Sequence, residues 1–300
     1  MIDTEALRTF IAVHRQKGFS GAARILHRTQ PAISNRIRLL EQELGARLFE
    51  RAANGIMLSQ AGRVLLPRAE AIVAALGDAE QAVLGLRKDA AGPIDLVIVG
   101  TLAGTNLTAA LKRFAARHPS VDLNLRTARS SEVSELVRNG EASVGLRYDR
   151  NRSDDLHYEQ IGSDPMVIAC AATHRFAGRL LRSLKLLQDE RWLAFPEIPG
   201  KREIPASHIW SIFLTLGLGE ISWWPVDSLN AQKRLVEAGS SLALVPKSSM
   251  REELSSGSLK IIRVTGLHVA QSVQMVSRKN GFFSAATLKL MELLRAEYRT

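Results

Sequence analysis

The sequence predicts a multidomain chain: a small all-α N-terminal domain closed by a hairpin, a long linker helix, and a larger α/β domain of two lobes. Three observations carry this expectation. Apolar residues recur at helical spacing through the first 45 positions and then give way to two short strand-like runs around Asn54-Gly55. A seven-residue apolar repeat follows over positions 65–86. Beyond Ala91-Gly92-Pro93, strand-like and helix-like runs alternate to about position 246, as in a layered α/β domain. The expected boundaries are 1–58, 59–90 and 91–300, with the lobes at about 91–162 plus 266–300, and 163–265.

Composition narrows the classes. With 300 residues, 46% hydrophobic and 23% charged, the chain has room for one large domain or two to three modest ones, each with its own core, and lacks the signature of disorder. A formal charge of +10 favours an anionic partner. Residues 1–60 hold nine Lys/Arg against five Asp/Glu, so the excess is only mildly concentrated there and pattern must carry the rest. The lone Cys170 sits in the apolar run Met166–Ala172 and reads as core, with no partner for a disulfide or Cys-based metal site. The start MIDTEALRTF is acidic where a signal peptide is basic, and no run approaches the ~18 apolar residues of a membrane span, so a cytoplasmic location without membrane contact is expected.

Leu7, Phe10, Ile11 and His14 place a first helix over Thr4–Arg15. Ser20 is the expected N-cap of a second, Gly21–Leu26, whose small Gly21-Ala22-Ala23 suits the steep crossing of a helix-turn-helix. His27-Arg28-Thr29 forms the turn, Thr29 caps a third helix, and Pro31 falls in its first turn, where a missing N–H is no loss. Ile33, Ile37, Leu40 and Leu44 make its apolar stripe, leaving Gln30, Pro31, Ser34, Asn35 and Arg38 on the other side. Asn and Gln can pair with adenine, Arg with guanine and Ser with several acceptors, so that face is equipped for a major groove. Any surface helix is polar outside, so the face alone does not decide. The continuation does: Gly45 closes the helix, Arg47–Arg51 and Ile56–Leu58 flank Asn54-Gly55 as two strands, and the hairpin forms a wing. Arg51 and Asn54 then sit where a wing meets sugar-phosphate.

Residues 8–62, above all FSGAARILHRTQPAISNRIRLLEQELGARLFERAANGIMLSQAG, resemble the DNA-binding domain of LysR-type transcriptional regulators. The resemblance rests on the alanine pair, the Gln-Pro-Ala-Ile-Ser helix start, Leu-Glu-x-x-Leu-Gly, Leu-Phe-x-Arg and Leu-Ser-x-x-Gly. It implies a winged helix-turn-helix on double-stranded promoter DNA, with base contacts from Gln30, Pro31, Ala32, Ser34, Asn35 and Arg38. It gives backbone contacts to Ser20, Thr29, Arg36 and Arg51.

Ser59 can cap the linker helix, in which Leu65, Ala69, Ile72, Leu76, Ala79, Val83 and Leu86 follow a four-three spacing. Such a seam suits pairing of two helices or packing on the chain's own domain. The resemblance favours the former, as a homodimer or homotetramer. Pro67 should bend the helix near its start, assigning contacts before it to the wing domain and those after it to the seam.

In the last part, Ile94–Val99, Val121–Arg126 and Ala142–Leu146 read as strands around helices Thr105–His118 and Ser131–Asn139. A second set follows: strands Met166–Ala172, Trp192–Phe195, Ser222–Val226 and Ser241–Val245, and helices Ala206–Gly217 and Ser228–Ala238. Residues 91–300 resemble the effector-binding domain of the same family, similar in fold to periplasmic solute-binding proteins. Ligands of open α/β sheets bind beyond the carboxyl ends of strands, which picks out Gly100-Thr101-Leu102, Arg129-Ser130-Ser131, Arg147, Pro196 to Arg202 and Asp227-Ser228. By resemblance these line an effector cleft. Arg129, Arg147, Lys201 and Arg202 would make it cationic and suit a small carboxylate or sulfonate; solvated loop charges are the alternative. Trp223 and Trp224 must face opposite ways on a strand, so at most one reaches the cleft. There is no HExxH, no paired Cys and no phosphate loop with Lys, and His174 and His208 lack metal-like companions. No enzyme activity, metal or cofactor is expected.

Overall fold

The computed structural model describes residues 2–52, 55–84, 93–148, 153–196, 212–219 and 221–298. They form two compact units, one built on the first 92 residues and the other on most of the remainder.

In the first unit, helix α1 (Thr4–Arg15) is capped by Asp3, whose Oδ1 accepts the Ala6 N–H at 2.5 Å, and buries Leu7, Phe10 and Ile11. Helix α2 spans Phe19–Ile25 and starts earlier than Ser20 predicted. Lys17 takes a left-handed turn at φ 50°, and the Gly18 carbonyl accepts the Ala22 N–H, so Gly18 is the cap and Ser20 lies exposed within the first turn. Helix α3 (Gln30–Leu44) has the expected ends: the Thr29 hydroxyl accepts the Ala32 N–H at 3.4 Å, and Gly45 closes it at φ 65°. Ile33, Ile37 and Leu40 are buried, whereas Leu44, beyond the reach of the core, is exposed. Phe49 joins Phe10 and Phe19 at ring separations of 5.3 and 5.9 Å, with Ala22 and Ala23 buried in the same cluster.

Strands β1 (Phe49–Ala52) and β2 (Gly55–Leu58) pair antiparallel with Phe49 opposite Leu58. The hairpin begins two residues later than Arg47 because the preceding backbone is engaged elsewhere. Glu41 of α3 accepts the Leu48 N–H at 2.7 Å, and the Arg47 carbonyl accepts the Ser59 hydroxyl at 2.5 Å. Asn54 lies outside the described residues. Ser59 also accepts the Gly62 N–H at 3.0 Å, which starts α4 (Gln60–Leu84); the helix runs on through Pro67.

In the second unit the chain continues through β3 (Ile94–Val99), α5 (Thr105–Arg117), β4 (Leu123–Ala128), α6 (Ser130–Arg138), β5 (Val144–Tyr148), β6 (Leu156–Ala171), β7 (Leu180–Leu181) and β8 (Arg191–Ala194). After a helical turn at 212–215 come β9 (Ser222–Pro225), α7 (Leu229–Glu237), β10 (Leu242–Pro246), α8 (Arg251–Ser256), β11 (Leu259–Val264), β12 (Ala270–Arg278) and α9 (Ala285–Tyr298). The sheet order is β4-β3-β5-β12-β6-β10-β8-β9, with β11 on β6 and β7 on β11. Strand β6 serves both lobes: Leu156–Pro165 pairs with β12, while Met166–Ala171 lies between β10 and β11.

Several expectations shift here. Strand β5 runs to Tyr148 rather than Leu146, because Arg147 and Tyr148 are buried strand residues despite their polarity. The first half of β6, together with β11, β12 and α9, went unread. The polar stretch Gly162-Ser163-Asp164-Pro165 carries no strand pattern of its own and is strand because β12 supplies an antiparallel partner. The beginning of the helix expected at Ala206, with His208, lies outside the described residues. The second lobe's core is set by Trp192 against Phe213, ring centroids 4.7 Å apart, and Cys170 is buried in the same cluster.

Candidate nucleic-acid interface and effector cleft

The α3 side chains divide as an amphipathic helix requires. Its apolar face is locked into the core of the first unit, while Gln30, Pro31, Ala32, Asn35 and Arg38 are exposed and Ser34 and Arg36 half-buried. Thr29 and Ser20 are exposed as well. Arg36 is 3.7 Å from the Asp3 carboxylate. Arg38 Nη2 donates to Asn35 Oδ1 at 2.8 Å, so two of the expected base-reading residues form one hydrogen-bonded pair. The backbone of Arg51 pairs with Ile56 in the hairpin, and its side chain lies outside what is described. His14 of α1 is half-buried, and burial together with the adjacent Arg15 charge holds its pKa below the usual histidine value.

Along α4 the repeat splits. Leu65 and Ala69 pack into the first unit's own core, so they leave the seam: this end of the helix is the lid of the winged domain. Further on, Ile72 and Val83 are large exposed apolar side chains, Ala79 is exposed and Leu76 half-buried. Leu86 lies outside the described residues.

In the second unit a cavity of about 480 Å³ opens where the carboxyl ends of β3, β4, β5, β8 and β10 converge. Thr101, Arg129, Ser130, Arg147 and Ser228 line it as expected. Leu102 does not; its side chain is buried, and its carbonyl accepts the Tyr298 hydroxyl at 3.3 Å. Lys201 and Arg202 lie outside the described residues. The N-terminal turns of α6 and α7 both open on the cavity, through Ser130 on one wall and Ser228, Leu229 and Asn230 on the other. Ser228 caps α7 by accepting the Ala231 N–H, and Glu132 accepts the Arg129 N–H at 3.1 Å at the start of α6.

Arg147 is 4% exposed, which overturns its reading as a solvated loop charge. Its guanidinium donates to Ser134 Oγ at 2.5 Å and to the Tyr148 carbonyl at 3.0 Å, and stands 6.0 Å from the Tyr158 ring centre. Sequence reasoning missed Tyr148, Met166 and Gln271 in the lining. Tyr148 was legible as the end of a strand only with β5 correctly placed. Gln271 had no signal, since β12 itself was unread. Its Oε1 is buried without a hydrogen-bond partner among the described residues. Burial and the nearby Asp164 carboxylate raise the Tyr148 hydroxyl far above an ordinary tyrosine, so it remains a neutral donor. Among the described residues no group of three or more potential metal ligands occurs, and no helix is long and apolar enough to cross a membrane.

A winged helix-turn-helix with a polar, outward-facing recognition helix, followed by a two-lobed α/β domain with a cleft at its strand ends, defines a DNA-binding regulator with a ligand-binding domain. Residues 4–63 match the model of bacterial regulatory helix-turn-helix proteins of the lysR family, and residues 87–299 match the LysR substrate binding domain. The chain therefore belongs to the LysR family of DNA-binding transcriptional regulators. It is 27% identical to the HTH-type transcriptional regulator CysL of Bacillus subtilis, over 91% of this chain and 90% of that one. It is 28% identical to the HTH-type transcriptional regulator CbbR of Rhodospirillum rubrum, over 98% and 96%. Among solved structures, a full-length OxyR variant from Pseudomonas aeruginosa superposes with a TM-score of 0.71 at 17% identity, covering 100% of this chain and 95% of that one. Full-length CbnR complexed with its target DNA gives 0.62 at 23% identity, covering 99% and 100%.

Proposed function

We propose that this regulator reads its promoter with α3 in the major groove and its hairpin on the flanking backbone, as a homodimer or homotetramer. In this reading a small organic anion, a carboxylate or sulfonate, in the cleft biases the DNA-bound arrangement. The observation that carries the DNA half is the exposed polar face of α3 on a helix whose other face is fixed in the core. Gln30, Pro31, Ala32, Ser34, Asn35 and Arg38 read bases, and Ser20, Thr29, Arg36 and Arg51 hold sugar-phosphate. Subunits pair along the part of α4 that carries exposed Ile72, Ala79 and Val83. The boundaries 1–58, 59–90 and 91–300 describe this division of labour.

For the effector, the lining Arg147 guanidinium and the two helix starts favour negative charge, and the Gln271 carbonyl, without a hydrogen-bond partner among the described residues, offers a place for a hydroxyl or amine of the same ligand. The ligand acts by binding one lobe or subunit arrangement better than another; equal affinity would change nothing. The cleft holds and releases its ligand unchanged, a binding site and not a site of turnover.

The test is binding of the full chain to DNA upstream of its own gene and to random DNA of equal length across a salt series. Preference for the upstream DNA by ~10³ or more at physiological salt supports the reading. Equal, steeply salt-dependent binding counts against it. Thermal shifts with a panel of organic anions test the cleft, and stabilisation by neutral ligands alone would discard the anionic assignment.

A further inference from the structure

The hydrogen bond between Arg38 Nη2 and Asn35 Oδ1, 2.8 Å long, sets what the recognition face can recognise. An asparagine that reads adenine presents its oxygen and its NH2 side by side, accepting from N6 and donating to N7. Here Arg38 takes one of the two lone pairs on that oxygen, which competes with the adenine geometry, while both hydrogens of the NH2 stay available. Arg38 contributes only donors, and a guanidinium held at one nitrogen still presents others in a fixed fork. The pair as a whole therefore presents mainly donors. The base with two adjacent acceptors and no donor at its major-groove edge is guanine, through O6 and N7.

We propose that Arg38 and Asn35 act as one unit that selects a guanine: Arg38 reads the guanine, and Asn35 fixes the guanidinium and turns its own NH2 toward an acceptor of the neighbouring base pair. The inference rests on α3 lying in the major groove. Both residues are exposed and three positions apart, on one face of the helix, and their contact orders the long arginine side chain before DNA arrives. The pair replaces the adenine reading of Asn35 that its residue type alone suggests.

The experiment is selection from a random DNA library with the full chain, followed by affinities for single-base variants of the selected site. The proteins are wild type, Asn35→Ala, Arg38→Ala, Arg38→Lys and the double alanine variant, with melting curves to confirm folding. The selected site should contain one G·C pair whose replacement costs wild type ~5- to ~150-fold. Arg38→Ala and Arg38→Lys should lose that discrimination, the lysine variant keeping the salt slope because the charge remains. Asn35→Ala should weaken discrimination at the same pair, and the double variant should lose less than the product of the single losses. If Asn35→Ala instead relaxes an A·T pair and leaves the guanine preference intact, the unit does not exist. A uniform loss from Arg38→Ala at every sequence makes Arg38 a phosphate contact and equally overturns the proposal. If Gln30→Ala also leaves every base preference unchanged, the placement of α3 in the groove fails with it; a Gln30 effect at its own base pair keeps that placement and isolates the failure to the Arg38–Asn35 unit.

Discussion

Asp164 holds Ser248 by two hydrogen bonds, accepting from its hydroxyl at 2.6 Å and from its backbone N–H at 3.3 Å. Asp164 lies on β6 one residue before the last β12 pairing, and Ser248 follows the end of β10. The Tyr148 hydroxyl, at the end of β5 and in the cleft wall, donates to the same carboxylate at 3.4 Å. One buried carboxylate thus joins a strand end of each lobe at the point where the lobes share β6.

Asp164→Ala leaves the Ser248 and Tyr148 hydroxyls without this acceptor. The expected loss is about 2–3 kcal/mol, since hydrogen bonds to a charged group are worth more than neutral ones. Urea unfolding followed by tryptophan fluorescence reads it from the midpoint. A midpoint within error of wild type would mean that the carboxylate contributes no net stability.

Two glycines of α4 should respond to alanine with opposite signs. A methyl on Gly62 would run into the Leu48 carbonyl, which the hairpin and Ser59 hold in place, so Gly62→Ala should lower the melting temperature of the winged domain and weaken DNA binding. At Gly77 nothing lies within 4 Å of the added carbon, and Gly77→Ala should stabilise by about 0.5–1 kcal/mol through helix propensity. Melting curves of both variants, taken in one buffer, decide the pair. A lower melting temperature for Gly77→Ala would show that this helix face is closely covered in the assembled protein.

Cys170 is fully buried, and burial, with Glu190 nearby, pushes its thiol up to about 11. The native protein at pH 8 should therefore resist a disulfide reagent and react once denatured. The folded state favours the thiol, so this contribution to stability is complete below the ordinary value of 9.0 and is lost as pH climbs from there toward about 11. Rapid native labelling would contradict the burial.

His14 titrates in the other direction. Its folded pKa is lowered from 6.5, so the unfolded chain binds protons first. Stability is complete above 6.5 and falls as pH drops below that value toward the folded pKa. Winged-domain melting should decline between pH 7 and pH 5, and His14→Gln should flatten that slope. An unchanged slope in the variant would place the acid sensitivity elsewhere.

The winged domain was legible in the sequence because its signals are local. Thr29, Pro31 and Gly45 define α3 by chemistry acting within a turn or two, and the apolar stripe through Ile33, Ile37 and Leu40 fixes its inward face. Ser20 misled for a related reason. Its capping chemistry was available two residues past Gly18, which caps the helix after the left-handed turn at Lys17. The ligand domain was legible where helices are amphipathic and strands sit between clear turn signals, as in β3, α5, β4 and α6. Arg147 and Gln271 take their places from pairing partners far along the chain, Gln274 opposite Arg147 and Asp164 opposite Gln271, and no local pattern announces such pairings. Leu65 and Ala69 satisfy the linker repeat and the winged domain's core equally well in spacing, and only packing separates the two uses.

The continuity of β6 across both lobes restricts how the ligand domain can carry a signal. A strand paired along its whole length, first with β12 and then with β10 and β11, cannot slide by one residue without turning its whole side-chain pattern inside out. It can twist. A ligand that drew the two lobes together would therefore have to work by torsion of β6 beside the Asp164 tether.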